Sequence, residues 1–355
     1  YVNQKADAIL APISILNYTY ALTDKNYVGH FLERDIIIFD EAHNIEKEVM
    51  GFLELPINPN QIKKDVGYIL KNDTLDILLW SQELKAIGEA YNEKSKQFKD
   101  DKKKRDAFVS RSESLLATAN WLANDSHNWI IMKENNNIIF KPIEVGKYCN
   151  EMLLGFGDVR IFMSGSILKS DLFCNDIGVQ DYVEVTIPSI IPAENRPIII
   201  DYVGSMSFKN APSNIDAMVD KILEISNNHL NEKGVIHTYT YKISRMLEER
   251  LPQFSDRFMF YNSRNREDVI YAFKNSDENK ILVGPYHFEG NDFKYDEARF
   301  QLIVKNPFPM LTEQVQRRDL VSGYKWLFNE RSKILSQMYG RAVRAEDDYA
   351  VCYLL

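Results

Sequence analysis

The chain has 355 residues, of which 45% are hydrophobic and 26% are charged, and its formal net charge is −8. This length exceeds one ordinary hydrophobic core and predicts two domains, or one domain with an insertion. No apolar run approaches the roughly 20 residues of a membrane helix, and the first residues do not show the basic-then-apolar pattern of a secretion signal. The negative charge argues against a passive coat on nucleic acid, but it allows a localised basic groove.

The cysteines and the chain ends narrow the class of protein. Cys149, Cys174 and Cys352 lie far apart, so by themselves they form neither a disulfide framework nor a four-cysteine metal or iron–sulfur site. We therefore expect an intracellular protein, cytoplasmic or, in a eukaryote, nuclear. The sequence starts at tyrosine and stops within an apolar run, so we expect it to be a piece of a longer protein.

The first 55 residues contain short apolar runs such as "DIIIF", bounded by polar residues. Such runs are typical of strands in a parallel sheet that is covered on both faces. From about residue 56 to 125 the apolar residues recur with helical spacing, and residues 62, 66, 69 and 70 fall on one face. A charge run over residues 92–106 indicates a solvated helix or a loop tip, with a DNA-facing surface as the alternative.

Later residues predict a hairpin and then a second set of strands. Two apolar runs flank Glu134 and three asparagines, which is a hairpin pattern. The string "DVRIFMSGSIL" predicts another buried strand. After a proline-containing stretch, six further strands alternate with helices, as in a parallel α/β sheet. Their sequences are "PIIIDYV", "GVIHTY", "RFMFY", "KILVG", "FQLIVKN" and "YAVCYLL".

Two adjacent carboxylates follow the strand "DIIIF". Ligands of open parallel sheets bind beyond the carboxyl ends of the strands, so Asp40 and Glu41 are expected at a ligand site. Such a pair suits a Mg²⁺-nucleotide: Asp40 would hold the ion through water, and Glu41 would orient the attacking water. The alternative is that "DEAH" is only the polar start of a helix, with aspartate as its N-cap.

Two arginines near the end of the chain form a second candidate site. Arg341 and Arg344 are three residues apart, so on a helix their guanidinium groups would share one face. The planar guanidinium donates two parallel hydrogen bonds, which suits a phosphate. The alternative is a helix face on which these arginines pair with Glu346, Asp347 or Asp348.

Five strings in order resemble motifs of the XPD/DinG family of superfamily 2 helicases, over nearly the whole chain. They are "DEAHNIE" (Walker B), "FMSGSIL" (motif III), "GVIHTYTYKISRMLEE" (motif IV), "ILVGPYHFEGNDF" (motif V) and "QMYGRAVRAEDDYAVCYLL" (motif VI). The run "ARFQLIVKNPFPML" also matches the family. Met163 stands where a threonine is usual in motif III, so one hydroxyl of that coupling motif is missing.

The resemblance implies two RecA-like α/β domains, the first interrupted by a mainly helical, arch-like insertion. The predicted boundaries are 1–55 and 126–195 for the first domain, 56–125 for the insertion and 196–355 for the second domain. It also implies an ATP-dependent DNA helicase that hydrolyses Mg-ATP at the inter-domain cleft and moves along single-stranded DNA from 5′ to 3′. Single-stranded DNA, or RNA, is the expected partner of a monomer that has no membrane contact.

The cofactors implied are ATP and Mg²⁺. No Gly-x-x-x-x-Gly-Lys-Ser/Thr string occurs in the sequence, so the P-loop, and any 4Fe–4S cluster, is expected upstream of Tyr1. On that interpretation this chain alone is inactive. The alternative is a non-catalytic relative that binds nucleic acid or a partner and has no P-loop at all.

The site residues follow from matching the motifs position by position. The predicted catalytic residues are Glu41, Gln337, Arg341 and Arg344. The predicted nucleotide-binding residues are Asp40, His43, Glu289, Gly290, Asp292 and Gly340, with Asp40 as the metal-binding residue. The predicted nucleic-acid-binding residues are Asn17, Tyr18, Ser164, Ser166, Thr238, Tyr239 and Thr240.

Overall fold

The computed structural model describes residues 2–31, 33–285 and 291–355. Its strands are β1 (Arg34–Phe39), β2 (Leu55–Ile57), β3 (Trp129–Glu134), β4 (Asn137–Pro142), β5 (Gly157–Phe162), β6 (Ile198–Ile200), β7 (Gly234–His237), β8 (Phe258–Phe260), β9 (Ile281–Gly284), β10 (Phe300–Ile303) and β11 (Val351–Leu354). Its α-helices are α1 (Val2–Leu10), α2 (Tyr18–Thr23), α3 (Ile45–Leu53), α4 (Pro59–Val66), α5 (Ile77–Ser95), α6 (Lys102–Asn124), α7 (Gly146–Met152), α8 (Ser170–Asp176), α9 (Ala211–Asn228), α10 (Tyr241–Glu248), α11 (Arg266–Lys274), α12 (Glu313–Val321) and α13 (Trp326–Tyr339).

The chain divides into two compact units. Unit 1 comprises Tyr1–Glu184 and Met310–Trp326, and unit 2 comprises Val185–Pro309 and Leu327–Leu355. Residues 310–326, predicted to lie in the second domain, group with unit 1, and residues 185–195, predicted to lie in the first domain, group with unit 2. Within the described ranges, no helix is both long enough and apolar enough to cross a membrane.

Unit 2 is built on a six-stranded parallel sheet with the order β6-β11-β10-β7-β9-β8. The six apolar runs predicted to be strands form this sheet, which confirms the α/β fold class. Every residue of β7, β9 and β10 is buried, as expected where helices cover both faces of a sheet. Helix α9 contributes Ile215, Met218 and Ile222 to the core, and this spacing is that of one helical face.

Unit 1 contains a parallel pair, β1 and β5, with Ile36 opposite Val159 and Ile38 opposite Ile161. Side chains alternate across a strand, so these four apolar residues lie on one face, and each of them is 41–57% exposed. We call this surface the apolar face of β1 and β5. Both faces of these strands were predicted to be covered, but among the described residues this apolar face stays largely exposed.

The rest of unit 1 combines a three-stranded antiparallel sheet, ordered β2-β4-β3, with helices α4, α5 and α6. The predicted hairpin is confirmed as β3 and β4. Helix α4 ends at Val66 because Gly67 takes a left-handed φ of 73°. Ile69 and Leu70 therefore lie outside the helix, and their predicted place on its apolar face was wrong. The charge run spans the end of α5, the connection and the start of α6.

Arg318 on α12 fixes the segment 310–326 within unit 1. Its side chain is only 1% exposed and forms ion pairs with three carboxylates. The Nε atom lies 2.8 Å from Glu46, Nη1 lies 2.9 Å from Glu144, and Nη2 bonds to Asp176. We call these four residues the Arg318 cluster. Removing one member of such a buried ionic cluster strongly destabilises the protein.

Candidate functional site

The acidic turn, residues 40–44, lies where β1 ends. Beyond Phe39 the hydrogen bonds between β1 and β5 continue, since Met163 N–H donates to Phe39 O and Ala42 N–H donates to Met163 O, both at 2.9 Å. The rings of Phe39 and Phe162 stack with centroids 5.2 Å apart. The sheet therefore holds the backbone on both sides of Asp40 and Glu41, while both carboxylates remain exposed to solvent.

Glu41 adopts a backbone conformation that is rare for its residue type. Its φ of 47° and ψ of 43° are left-handed, which costs about 1–2 kcal/mol for a residue with a Cβ. The Asp40 side chain accepts the Glu41 N–H at 2.9 Å and caps no helix, because α3 begins only at Ile45 with Asn44 in the N-cap position. The alternative that Asp40 is a helix N-cap therefore has no hydrogen bond to support it.

His43 links the acidic turn to the motif III segment. Its Nδ1 atom lies 2.7 Å from Ser164 Oγ and 3.3 Å from Glu41 Oε2. In a serine–histidine–carboxylate triad the serine and the carboxylate bind different ring nitrogens, whereas here both contact Nδ1, so this trio is not such a triad. Ser164 Oγ also accepts the N–H of Ser166, a buried residue, at 3.0 Å. The contact with the histidine is thus made by Ser164 and does not need a hydroxyl at position 163.

Asn17 and Tyr18, two predicted nucleic-acid-binding residues, have structural contacts. The Asn17 side chain caps α2 by accepting the N–H of Tyr20 at 2.7 Å. The Tyr18 hydroxyl donates to the backbone oxygen of Asp40 at 2.8 Å. Burial, together with the negative charges of Asp40 and its acidic neighbours, raises the pKa of Tyr18. Tyr18 therefore remains a neutral donor that supports the acidic turn.

The arginine turn, residues 340–348, follows α13 in unit 2. Helix α13 ends at Tyr339, so the expectation that Arg341 and Arg344 share a helix face was wrong. Instead, both guanidinium groups contact one carboxylate, that of Asp292. Arg341 Nη1 lies 3.3 Å from Asp292 Oδ1, and Arg344 Nη2 bonds to the same oxygen. Both arginines pair with Asp292, whereas the alternative partners named from the sequence were Glu346, Asp347 and Asp348.

Asp348 holds the arginine turn in its conformation. This carboxylate is fully buried and accepts the N–H groups of Arg344 and Tyr295 on one oxygen, each at 3.2 Å. The other oxygen accepts the Tyr349 N–H at 2.8 Å and Arg299 Nη1 at 3.0 Å. A carboxylate with four donors is well satisfied in the interior, so the backbone of Arg344 is fixed by a buried ion pair.

The motif V segment docks on the same turn. Phe293 is fully buried, and its N–H donates to Arg341 O at 3.0 Å. Gly340 continues the last turn of α13, since its N–H donates to Ser336 O at 2.9 Å, and Gln337 lies partly buried on that helix. The other predicted motif V residues, Glu289 and Gly290, lie outside the described residues.

The motif IV loop, residues 238–240, follows β7. Thr238 is fully buried, its N–H donates to Gly284 O at 2.8 Å, and its hydroxyl donates to Thr240 O. Its side chain therefore supports the loop and is shielded from solvent. Tyr239 has a left-handed φ of 62° and lies below the Lys305 ammonium group, 5.4 Å from the ring centroid. Thr240 caps α10 by accepting the Ile243 N–H.

The donor set of the acidic turn fits a magnesium ion that keeps most of its waters. Among the residues that the structure describes, no group of three or more histidine, cysteine, aspartate or glutamate side chains could hold a metal. One exposed carboxylate, Asp40, is nevertheless sufficient for Mg²⁺ when phosphate and water oxygens complete the octahedron.

Several residues around the two turns were not predicted as functional from the sequence. They are Arg299, Gln301 and Asp348 near the arginine turn; Tyr18 was predicted as a nucleic-acid contact and not as a support of the acidic turn. Arg299 and Gln301 precede and interrupt the apolar run of β10. A polar residue within a fully buried strand needs a partner, and that signal would have found Gln301.

Comparisons with known proteins show what the chain is similar to. The family model described as the helicase C-terminal domain matches residues 226–355. A protein named 3′-5′ exonuclease DinG, from Staphylococcus aureus strain MSSA476, is 22% identical over 344 residues, covering 88% of this chain and 38% of the relative. The protein of the same name from strain USA300 is 23% identical over 297 residues, covering 76% of this chain and 32% of the relative. The chain therefore spans 32–38% of the length of these relatives.

Solved structures share the fold. A structure titled XPD helicase superposes with a TM-score of 0.58 at 16% identity, covering 95% of this chain and 68% of that one. The structure of S. tokodaii Xpd4 gives a TM-score of 0.59 at 17% identity, covering 99% of this chain and 75% of that one. Both values indicate a common architecture over almost all of the chain.

Proposed function

We propose that the chain, which is similar to DinG proteins and to XPD structures and whose residues 226–355 match a helicase C-terminal domain, forms part of an ATP-dependent DNA helicase. The observation that carries this proposal is the acidic turn. It presents two exposed carboxylates at the carboxyl end of a parallel strand, with His43 joined to the motif III segment. The predicted domain boundaries belong to the same proposal, with residues 185–195 assigned to unit 2 and residues 310–326 to unit 1.

The acidic turn would activate water for attack on the γ-phosphate. Mg²⁺, when bound, neutralises phosphate charge and would be held by Asp40 through water. Glu41 would accept a hydrogen bond from the attacking water and orient it. Its left-handed backbone directs a 65% exposed carboxylate outward, and Glu41 Oε2 lies within 3.3 Å of His43 Nδ1. Strain of this kind persists where the surrounding structure compensates for it, often at functional sites.

The arginine turn would stabilise the phosphate charge that grows in the transition state. Arg341 and Arg344 already point at one carboxylate, Asp292. A phosphate oxygen is a comparable acceptor for two guanidinium groups. An arginine in this role contributes on the order of 10³-fold or more in rate. Gln337 and Gly340, which precede the turn, are proposed as part of the same site, together with the motif V residues Glu289 and Gly290.

The P-loop would come from polypeptide outside the 355 residues. No P-loop string occurs in this sequence. The apolar face of β1 and β5 supports this proposal, because parallel strands are stable when both faces are covered. Additional strands and helices of the parent protein would cover this face. The chain alone is then expected to be inactive in hydrolysis.

Single-stranded DNA is the proposed track, with 5′ to 3′ movement of a monomer in the cytoplasm or nucleus. Tyr239, Thr240 and Ser164 are the proposed contacts, because single strands are held by aromatic stacking and backbone contacts. Ser166, which is buried, would act through the segment that carries Ser164. The Lys305 ammonium group above Tyr239 adds positive charge beside that ring. Thr238, which is buried, would act through the loop conformation.

The test is steady-state ATP hydrolysis by the parent protein, with and without single-stranded DNA. Glu41→Gln is expected to abolish turnover while leaving ATP binding intact, since the amide cannot orient water as the carboxylate does. Glu93→Gln is the matched control, because Glu93 is a 74% exposed residue near the end of α5 that pairs with Lys96. Unchanged hydrolysis in Glu41→Gln would exclude the role given to this residue.

The same assay separates the two function classes. DNA-stimulated hydrolysis by the parent, with no hydrolysis by residues 1–355 alone, supports the helicase motor. DNA binding by a parent that never hydrolyses ATP would instead support the non-catalytic relative.

A further inference from the structure

A line of buried polar groups crosses the sheet of unit 2. It consists of His237 at the end of β7, Gln301 on β10 and the backbone oxygen of Tyr339 at the end of α13. His237 is 0% and Gln301 1% exposed. His237 Nε2 lies 3.3 Å from Gln301 Oε1, and Gln301 Nε2 donates to Tyr339 O at 2.7 Å. We call these three groups the relay.

The hydrogen bonds define the direction of the relay. Burial, with the positive charge of Arg341 adding to it, lowers the pKa of His237 to about 4, so the imidazole is neutral near pH 7. Gln301 must turn its NH₂ group toward Tyr339, because a carbonyl oxygen only accepts. Its Oε1 atom therefore faces His237, and Nε2 must carry the proton of the neutral ring.

Each end of the relay adjoins a segment of the proposed motor. His237 directly precedes the motif IV loop, and Tyr339 directly precedes Gly340 and Arg341 of the arginine turn. We propose that His237 and Gln301 are positioning residues, which fix the conformation of the arginine turn and couple it to the conformation of the motif IV loop. This inference rests on the proposed function. Neither side chain contacts a substrate.

Buried polar side chains such as those of the relay are not required for the stability of a core. The residues around it on β7 and β10, such as Val235, Ile236 and Leu302, are apolar and fully buried. Replacing two buried polar partners by apolar groups of similar shape is close to neutral for stability, whereas removing one partner leaves the other unsatisfied. This difference allows stability and positioning to be measured separately.

Three variants separate the two roles. Gln301→Met keeps the volume but leaves His237 without the Gln301 acceptor and Tyr339 O without the Gln301 donor. The double variant His237→Leu/Gln301→Met makes both side chains apolar at similar volume. Leu302→Val is the control, because this neighbour of Gln301 is equally buried but faces the opposite side of the sheet.

The first measurement is made on the 355-residue chain without nucleotide, by thermal unfolding and amide hydrogen exchange. Gln301→Met is expected to lower the melting temperature by roughly 5 °C, and the double variant to recover most of that loss. Exchange of the Arg341 and Phe293 amides is expected to be about 10-fold faster than wild type in both relay variants and unchanged in Leu302→Val. Wild-type exchange in the double variant would reduce the relay to a stability element and overturn the proposal.

The second measurement uses the parent protein and compares hydrolysis with and without single-stranded DNA. The double variant is expected to lose on the order of 10-fold in DNA stimulation, with a smaller change in KM for ATP. Full stimulation in this variant would overturn the coupling role. If even the wild-type parent does not hydrolyse ATP, the proposed function fails, while the exchange data still decide whether the relay positions the arginine turn.

Discussion

Asp348→Ala tests whether a buried carboxylate holds the arginine turn. The change removes the acceptor of four hydrogen bonds, three donated by backbone N–H groups and one by Arg299, whose side chain is 12% exposed. Breaking a buried ion pair by removing one partner costs about 3–5 kcal/mol. Arg299 keeps its contact with exposed Asp296, and water can enter the space, so we expect about 3 kcal/mol for the ion pair and about 1 kcal/mol for the backbone groups.

The assay is thermal unfolding of the chain, in which the melting temperature of unit 2 is measured. A loss of about 4 kcal/mol corresponds to roughly 8–16 °C for a unit of this size. The melting temperature of Asp348→Asn is expected to lie between those of the wild type and Asp348→Ala, because one of the two carboxylate oxygens becomes an NH₂ group that faces other donors. Asp347→Asn is the neighbouring control, since this exposed carboxylate accepts the Tyr295 hydroxyl. A shift below about 2 °C for Asp348→Ala would refute the reasoning.

Three further predictions follow from other ionised groups. Arg318→Leu leaves three carboxylates around an apolar side chain and should lower the free energy of unfolding of unit 1, measured in urea, by at least about 3–5 kcal/mol. Arg317→Leu, at an exposed neighbour paired with Glu313, should change this free energy by less than about 1 kcal/mol. Equal effects of the two variants would contradict the Arg318 cluster. Asp292→Asn should tighten binding of a fluorescent ATP analogue by the parent up to about 5-fold, since a partly exposed ion pair holds back at most about 1 kcal/mol; weaker binding would show that Asp292 contacts the nucleotide itself. Burial would raise the pKa of Asp24, but hydrogen bonds from backbone N–H groups and from His30 outweigh it and hold the pKa below its usual range. Its stabilisation is therefore present above pH about 4 and lost as the pH falls through the lowered pKa, so Asp24→Asn should flatten the acid side of the stability profile, and an unchanged profile would count against it.

Local patterns predicted the strands of this protein well. The six runs in the second half are each rich in β-branched and aromatic residues and bounded by polar residues, and all six lie in one parallel sheet. The hairpin of β3 and β4 was equally clear. These elements were readable because strand periodicity and turn residues are properties of neighbouring positions in the sequence.

Helix ends were less readable. The apolar spacing continued past Val66, yet Gly67 ended α4, and the spacing of Arg341 and Arg344 suited a helix that had already ended at Tyr339. In both places the residues had helical spacing in the sequence, but backbone conformation and contacts with other segments decided where the helix ended. Such boundaries depend on capping and on tertiary partners as well as on periodicity.

The sequence by itself determined the order of the motifs, the α/β class and the positions of the acidic pair and the two arginines, because each is written in a short stretch of chain. Only the tertiary structure decided which groups these residues contact. Arg341 contacts a carboxylate 49 residues away, His237 an amide 64 residues away, and Arg318 a glutamate 272 residues away. Burial and hydrogen-bond satisfaction select such partners among all the polar groups of the folded chain, and no local pattern in the sequence carries that information.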